Sequence, residues 1–236
     1  MIRLISLVFF LNIGTFLFGQ IGIDYAYLNQ SYPEWTQLLI DNQVVNSSEK
    51  PVFQNAHRIG LEYWLRVPNY RVEFFPQINI TRQLSSYTSN IQTTTLESHL
   101  YGIDLKTQIY FLDFKGDCDC PTFSNNEPII KKGTYFIFSP GAYIFSGQIN
   151  QTTNGLESLA KEINSTFRLG LGLGIDIGIN DLFSISPYYK YEMHRPFSWD
   201  ALGTIPLSQS GNDASSTSTN IAGHVTGIKL IIRFDY

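Results

Sequence analysis

Residues 163–180, INSTFRLGLGLGIDIGIN, separate by parity into two chemically different sets. Ile163, Phe167, Leu169, Leu171, Leu173, Ile175, Ile177 and Ile179 share one set, with Ser165 its only polar member. Asn164, Thr166, Arg168, Gly170, Gly172, Gly174, Asp176, Gly178 and Asn180 share the other. Strict period two predicts a strand and excludes a helix, because successive side chains leave a pleated backbone on opposite sides. At about 18 residues the strand far exceeds the usual five or six and suffices to cross a bilayer at the tilt of barrel strands.

The same alternation predicts strands over 21–28, 57–67, 71–84, 96–114, 133–149, 183–196 and 224–236, eight in all. The segment 133–149 is apolar on both faces, and Phe136, Phe138, Pro140, Ala142 and Ile144 are assigned to the lipid side. Between strands, YPEWTQLLID predicts one or two helical turns, 85–95 reads as a polar loop, and 150–162 reads as another with a helical turn at LESLAKE. Residues 68–70 and 181–182 make tight turns, while 197–223 form a long loop ending in low-complexity Ser, Thr and Asn. Short turns on one side and long loops on the other predict an antiparallel up-and-down transmembrane barrel with both termini in the periplasm; the connection after strand four breaks that rule.

Two short units repeat. A Gly, an apolar residue, a charge and an apolar or aromatic residue recur at Gly22-Ile23-Asp24-Tyr25, Gly60-Leu61-Glu62-Tyr63, Gly102-Ile103-Asp104-Leu105, Gly174-Ile175-Asp176-Ile177 and Gly227-Ile228-Lys229-Leu230. Upward strands instead share an apolar residue, one residue, then Pro76, Pro140 or Pro187. Hairpin repetition accounts for both. Proline lacks a ladder donor, so these three are expected at one depth near the periplasmic rim.

Alternation alone does not tell a membrane barrel from a soluble ligand carrier, but volume does. Eight strands leave room only for side chains or one small ligand, and the Ile, Leu, Phe and Tyr faces together would overfill it. The other face carries most of the glycines, which make room for Trp64, Phe75, Tyr110 and Tyr188, so it is the predicted lumen. Tyr25, Tyr27, Tyr189 and Tyr191 then fall toward one rim, and Phe183, Phe234 and Tyr236 toward the other, as interfacial girdles.

The inward ions nearly cancel: Asp24, Glu62, Glu73, Asp104, Asp176, Glu192 and Asp235 against Arg58, Arg66, Arg71, Lys106, Arg168, Lys190, Lys229 and Arg233. Buried charges must be paired, which predicts an interlocked network and a closed lumen in place of an open pore.

Composition narrows the class. The 236 residues are 43% hydrophobic and 15% charged with a net charge of -4, which disfavours disorder and coiled coil and gives no basic surface for nucleic acid. Residues 1–19 run from Arg3 through an apolar stretch to Gly19, the pattern of a secretory signal peptide, leaving 20–236 as the barrel domain.

With the strand pattern and the terminal IIRFDY, the chain resembles small outer-membrane barrels, including OmpA-type barrels and the PorT-like barrels of Bacteroidota. Its last strand resembles the signal read by the barrel assembly machinery, with Phe234 and Tyr236 as the residues concerned. The resemblance implies outer-membrane lipid as surroundings, insertion by that machinery, and an accessory role in secretion or assembly. It brings no catalytic residue and no cofactor.

Few residues suggest chemistry. Cys118 and Cys120 in Asp117-Cys118-Asp119-Cys120-Pro121 fall in a periplasmic connection and are candidates for a metal or redox site, but one C-x-C supplies two of the four ligands of a structural zinc; the alternative is a rigid loop, with or without a local disulfide, docking a periplasmic protein. His194 with Glu192, or His99 with Ser98 and Glu97, are the candidates for a hydrolase, although adjacent Ser98 and His99 face opposite ways on a strand. His57 and His224 read as rim residues. Trp35, Trp199 and the long loops are candidates for an external recognition surface. The expected protein is a closed, non-enzymatic structural or interaction protein of the cell envelope; its rivals are a barrel hydrolase acting on lipid or peptide and a narrow channel.

Overall fold

A computed structural model describes residues 20–41, 44, 52–66, 71–88, 92–112, 133–153, 156–179, 182–204 and 217–232. The barrel strands are β1 (Gln20–Ser31), β2 (Asn55–Arg66), β3 (Val72–Thr88), β4 (Gln92–Leu112), β5 (Gly133–Thr153), β6 (Leu156–Gly178), β7 (Phe183–His194) and β10 (Ala222–Ile232). Helix α1 (Pro33–Asp41) follows β1, and a small hairpin of β8 (Phe197–Ser198) and β9 (Ser218–Thr219) precedes β10. The eight long strands pair antiparallel in the closed order β1-β10-β7-β6-β5-β4-β3-β2, with β2 returning to β1. Closure removes every sheet edge within the belt, the condition for a backbone in hydrocarbon. Among the described residues, no helix is long and apolar enough to cross a membrane, so crossing is by strands.

Side-chain parity follows the expected faces. Ile23, Ile59, Leu61, Ile78, Ile103, Phe138, Phe167, Leu173, Tyr189 and Ile228 point outward and are exposed, whereas Asp24, Arg58, Glu62, Asp104, Lys106, Arg168 and Glu192 point inward and are buried. An exterior of this kind, wrapped around a charged interior, is that of a transmembrane β-barrel.

Two expected loops are strand. The polar loop over 85–95 is mostly the β3–β4 hairpin, and 150–162 is mostly the β5–β6 hairpin, with strand where a helical turn was expected at LESLAKE. The reason lies in the paired rows. Outward Ile78, Ile103, Ala142 and Phe167 form one row, and Ile80, Tyr101 and Ile144 the next. Beyond them come Arg82, His99, Ser146 and Ile163, then Leu84, Glu97, Gln148 and Lys161, then Ser86, Thr95, Asn150 and Leu159. Strands thus continue past the apolar belt, and their outer face becomes predominantly polar there.

Each proline interrupts pairing on one side only. Pro76, Pro140 and Pro187 pair with Leu105, Leu169 and Ile228 on the following strand. Toward the preceding strand the ladder skips, from Glu62–Gln77 to Leu65–Phe74, from Asp104–Gly141 to Thr107–Phe138, and from Gly174–Tyr188 to Ile177–Ile185. A missing N–H explains the gap, and its threefold recurrence makes it a hairpin device.

Depth decides the cost of a charge on the outer face. Leu173→Arg, midway along the apolar run of β6, is expected to lose about 2–4 kcal/mol, and Thr95→Arg on the outer hairpin about 0–1 kcal/mol, in urea unfolding from lipid vesicles.

Candidate functional site: the ion-paired lumen and its outer cap

The lumen is crossed by two linked layers of charge. In the outer layer, Arg58 grips Glu192 side-on, with Nη1 to Oε1 and Nη2 to Oε2 both 2.8 Å, while its Nε donates to Thr81 Oγ1 at 3.0 Å. Arg168 bridges Glu192 Oε2 at 3.1 Å and Asp104 Oδ2, and Lys190 Nζ lies 2.8 Å from Glu192 Oε1. Asp104 Oδ2 also accepts from Asn79 at 2.7 Å and from Tyr143 OH at 2.5 Å, and the Arg168 guanidinium sits 4.2 Å from the centre of the Tyr143 ring.

The inner layer is centred on Lys106, whose Nζ donates to Asp24 Oδ2 at 2.7 Å and to Glu62 Oε2 at 3.1 Å. Lys229 Nζ donates to Gln108 Oε1 at 3.1 Å, stands 3.8 Å from Glu62 and lies 3.7 Å above the Phe75 ring. Tyr110 OH joins Glu73 at 3.1 Å and Asp176, and Ser186 also donates to Asp176. Every ion in both layers is at most 3% exposed. Isolated, each would be prohibitive to bury; paired and hydrogen-bonded, they fill the lumen with charges that nearly cancel.

Room for this network comes from the glycines of the repeat. Gly102 pairs with Tyr143, and Gly227 pairs with Tyr188; a Cβ on either glycine would overlap the facing ring. The ring therefore lies flat over the glycine and sends its hydroxyl to the carboxylate of the network, Tyr143 to Asp104 and Tyr188 to Asp24 at 3.0 Å. At Gly102 the glycine and the charge of one repeat share a packing unit through Tyr143, whereas Tyr188 joins Gly227 to the charge of a different repeat, Asp24.

Above the belt the interior becomes apolar. Helix α1 starts with Pro33 at its first turn, where a missing N–H costs nothing, and Thr36 N–H closes that turn on Tyr32 C=O at 2.9 Å. Trp35, Leu38 and Leu39 lie on one stripe and are buried against Phe53, Leu96, Leu100, Phe145, Ile149, Phe197, Trp199, Leu202 and Ile221. Trp35 packs edge-on to Phe197 and Trp199, with centroids 5.4 and 5.3 Å away, and its Nε1 donates to Thr217 C=O at 2.6 Å. Phe53 adopts a left-handed φ of 50°, held by its N–H on Ser85 Oγ at 3.0 Å and by stacking on Trp199. Glu34 ties α1 to β9, accepting from Thr219 Oγ1 and from Asn220 N–H at 3.1 Å. Partial burial works to raise the Glu34 carboxyl, and these hydrogen bonds outweigh it, so its pKa lies below the ordinary carboxylate value.

Trp35 and Trp199 therefore do not form an external recognition surface. Both are fully buried, because the first long loop and the loop after β7 fold back into the barrel mouth as a cap. Arg71 precedes β3 at the end of the barrel, is exposed, and its C=O receives Tyr110 N–H at 2.9 Å. Glu73, Asp176, Lys190 and Lys229 take inward, buried positions with the rest. Phe234, Tyr236, Arg233, Asp235, Cys118, Cys120, residues 1–19 and the Arg66 side chain lie outside the described residues.

The hydrolase candidates do not assemble. His194 is buried beside Tyr143, and both oxygens of Glu192 are held by Arg58, Arg168 and Lys190. Ser98 faces inward and donates to Gln83 at 2.8 Å, while His99 faces outward beside Glu97 at 3.2 Å. His57 and His224 are outer-face residues packed between tyrosines, His57 with Tyr25 and Tyr27, His224 with Tyr189 and Tyr191. Among the described residues, no three of His, Cys, Asp and Glu gather as a metal site. Asn79, Thr81, Gln83 and Tyr143 belong to the network beyond the charged set. Their inward parity was readable, but their partners on other strands were not.

No protein-family model and no curated protein matches the sequence. Among solved structures the fold is similar to Neisserial surface protein A, with 12% identity over 92% of this chain and 97% of that one and a TM-score of 0.42. It is also similar to Ail of Yersinia pestis, with 12% identity over 91% and 97% and a TM-score of 0.43. The outer membrane protease OmpT of Escherichia coli is more distant, with 10% identity over 76% and 63% and a TM-score of 0.36. Likeness at this level concerns the fold alone.

Removing Glu192 takes the carboxylate from buried Arg58 and Lys190 and leaves Arg168 with Asp104 alone. Glu192→Ala is expected to cost about 3–5 kcal/mol in urea unfolding, as breaking a buried pair does. At the cap, a carboxyl with a lowered folded pKa contributes stability above its unfolded pKa and loses it as pH falls through the folded value. Tryptophan fluorescence should therefore report loosening of the cap below about pH 4, the carboxylate range; in Glu34→Gln this acid step should be absent and the cap looser at neutral pH.

Proposed function

We propose that this protein is a closed barrel of the bacterial outer membrane that serves the envelope as a structural and interaction protein, with both termini in the periplasm. Residues 1–19 act as its export signal, 20–236 form the barrel domain, and the last strand, ending in Phe234 and Tyr236, is read by the barrel assembly machinery. The outward switch from apolar to polar rows along β3 to β6 supports this orientation, since it puts the long hairpins and the cap on the side opposite the termini.

The observation that carries the reading is double closure: a lumen crossed by paired ions and a mouth stoppered by an aromatic core. A conducting pore needs a continuous aqueous path and a charge bias, and here side chains occupy the path and the charges meet in pairs. An enzyme needs a free base beside a nucleophile, whereas the carboxylates and Ser98 are committed to structural partners. A rigid barrel with two long hairpins and a packed cap instead presents fixed polar surface to the exterior, where a protein partner would bind. Similarity of the strand pattern to PorT-like barrels is the support for a narrower role in secretion or assembly; no described side chain carries it.

Planar-bilayer recording tests closure. The refolded protein is expected to insert without discrete conductance steps, and heating is expected to change its gel migration. Regular openings in the wild type would replace this reading with the channel.

A further inference from the structure

The outer wall is not smooth. Between β4 and β7 lies an open groove of about 810 Å³ on the lipid-facing side. Two paired rows build it: Pro76, Leu105, Pro140, Leu169 and Met193, and beside it Ile103, Ala142, Phe167 and then Arg195, whose N–H donates to Phe167 C=O at 2.7 Å. On β5 the outward side chains of this stretch are short, Pro140 and Ala142, while the flanking strands carry Ile103 and Leu105 on one side and Phe167 and Leu169 on the other. The result is a notch along β5 between two ridges.

We infer that this groove holds one chain of a phosphate-bearing lipid of the outer leaflet, with the headgroup phosphate at Arg195. Three observations converge. The groove is continuous with the apolar belt, so its walls are covered by hydrocarbon in the membrane. Arg195 is exposed and lines the groove just past Met193, the last outward apolar residue of β7, the strand whose other neighbour, β10, turns polar outward at Thr226 and His224. A guanidinium there meets anionic headgroups and offers them a planar fork of donors. Arg82, the outward basic residue two rows above on β3, is instead engaged by Glu97 at 2.9 Å, and Arg195 is the outward cation among the residues that line the groove.

The inference rests on the membrane reading above, and one experiment separates the two. The full mature protein is reconstituted into nanodiscs of equal phosphatidylglycerol and phosphatidylcholine, released, and analysed by native mass spectrometry. Phosphatidylglycerol should remain bound in about fivefold preference, the effect of one basic residue beside an anionic headgroup. Arg195→Gln should bring the preference to unity while lipid is still retained. Ile103→Trp and Leu169→Trp, which narrow the groove from opposite walls, should each lower retention of both lipids, and heat-modifiable migration identifies which variants are folded. Excess inorganic phosphate should not displace the bound lipid. Equal retention of both lipids by the wild type, or undiminished retention in the folded groove variants, overturns the lipid site alone; displacement by phosphate, or a stable dimer seated on the groove, does the same. A protein that stays monomeric without detergent overturns the membrane reading and the lipid site with it.

Discussion

An eight-stranded barrel encloses barely enough room for side chains, so every charge turned inward must touch an opposite charge turned inward from another strand. Arg58 and Glu192 are 134 positions apart in the chain and meet side-on; Lys106 joins carboxylates from β1 and β2. These contacts can form only when the sheet has closed, which ties the register of each strand to all the others. The pairs are thus less a source of net stability than a specification of one closure, because a slipped register would leave ions buried alone.

The same lack of room explains the aromatic and glycine pairing. A tyrosine laid over a facing glycine occupies little of the lumen, yet delivers its hydroxyl to a carboxylate two strands' width away. Three recurring elements thereby divide the work: glycine makes space, the charge two residues later supplies the network, and the proline of the upward strands loosens one side of the ladder. Above the belt no such economy is needed, and the interior is filled by an ordinary aromatic core built from α1, β8, β9 and the hairpins.

Closure at both levels links structure to function. The lumen network fills the barrel interior with paired side chains, and the cap fills its mouth with an aromatic core. The surfaces left free are the polar hairpins and cap at one end of the barrel and a grooved apolar wall around it.

Much of this was written locally. Alternation is a property of neighbouring residues, so the sequence determined that strands form, which parity of each strand faces in, which glycines share that face, and that acids and bases on it nearly cancel. The helix at 33–41 was readable from its apolar spacing. What only the tertiary structure decided begins where the alternation changes phase. Along β4, inward Asp104 and Lys106 give way to inward Leu96 and Leu100, while outward Ile103 gives way to outward Thr95 and Glu97; along β5, inward Phe145 and Ile149 face outward Gln148 and Asn150. One strand crosses from lipid into water, and at that boundary each face exchanges its solvent: the inner face gains the cap and the outer face gains water. A local pattern cannot show this, since the apolar partner of the inner face, Trp35 and Trp199 above all, comes from loops distant in sequence. The partners of each ion stayed hidden for the same reason, because they are chosen by closure of the barrel rather than by neighbours along the chain.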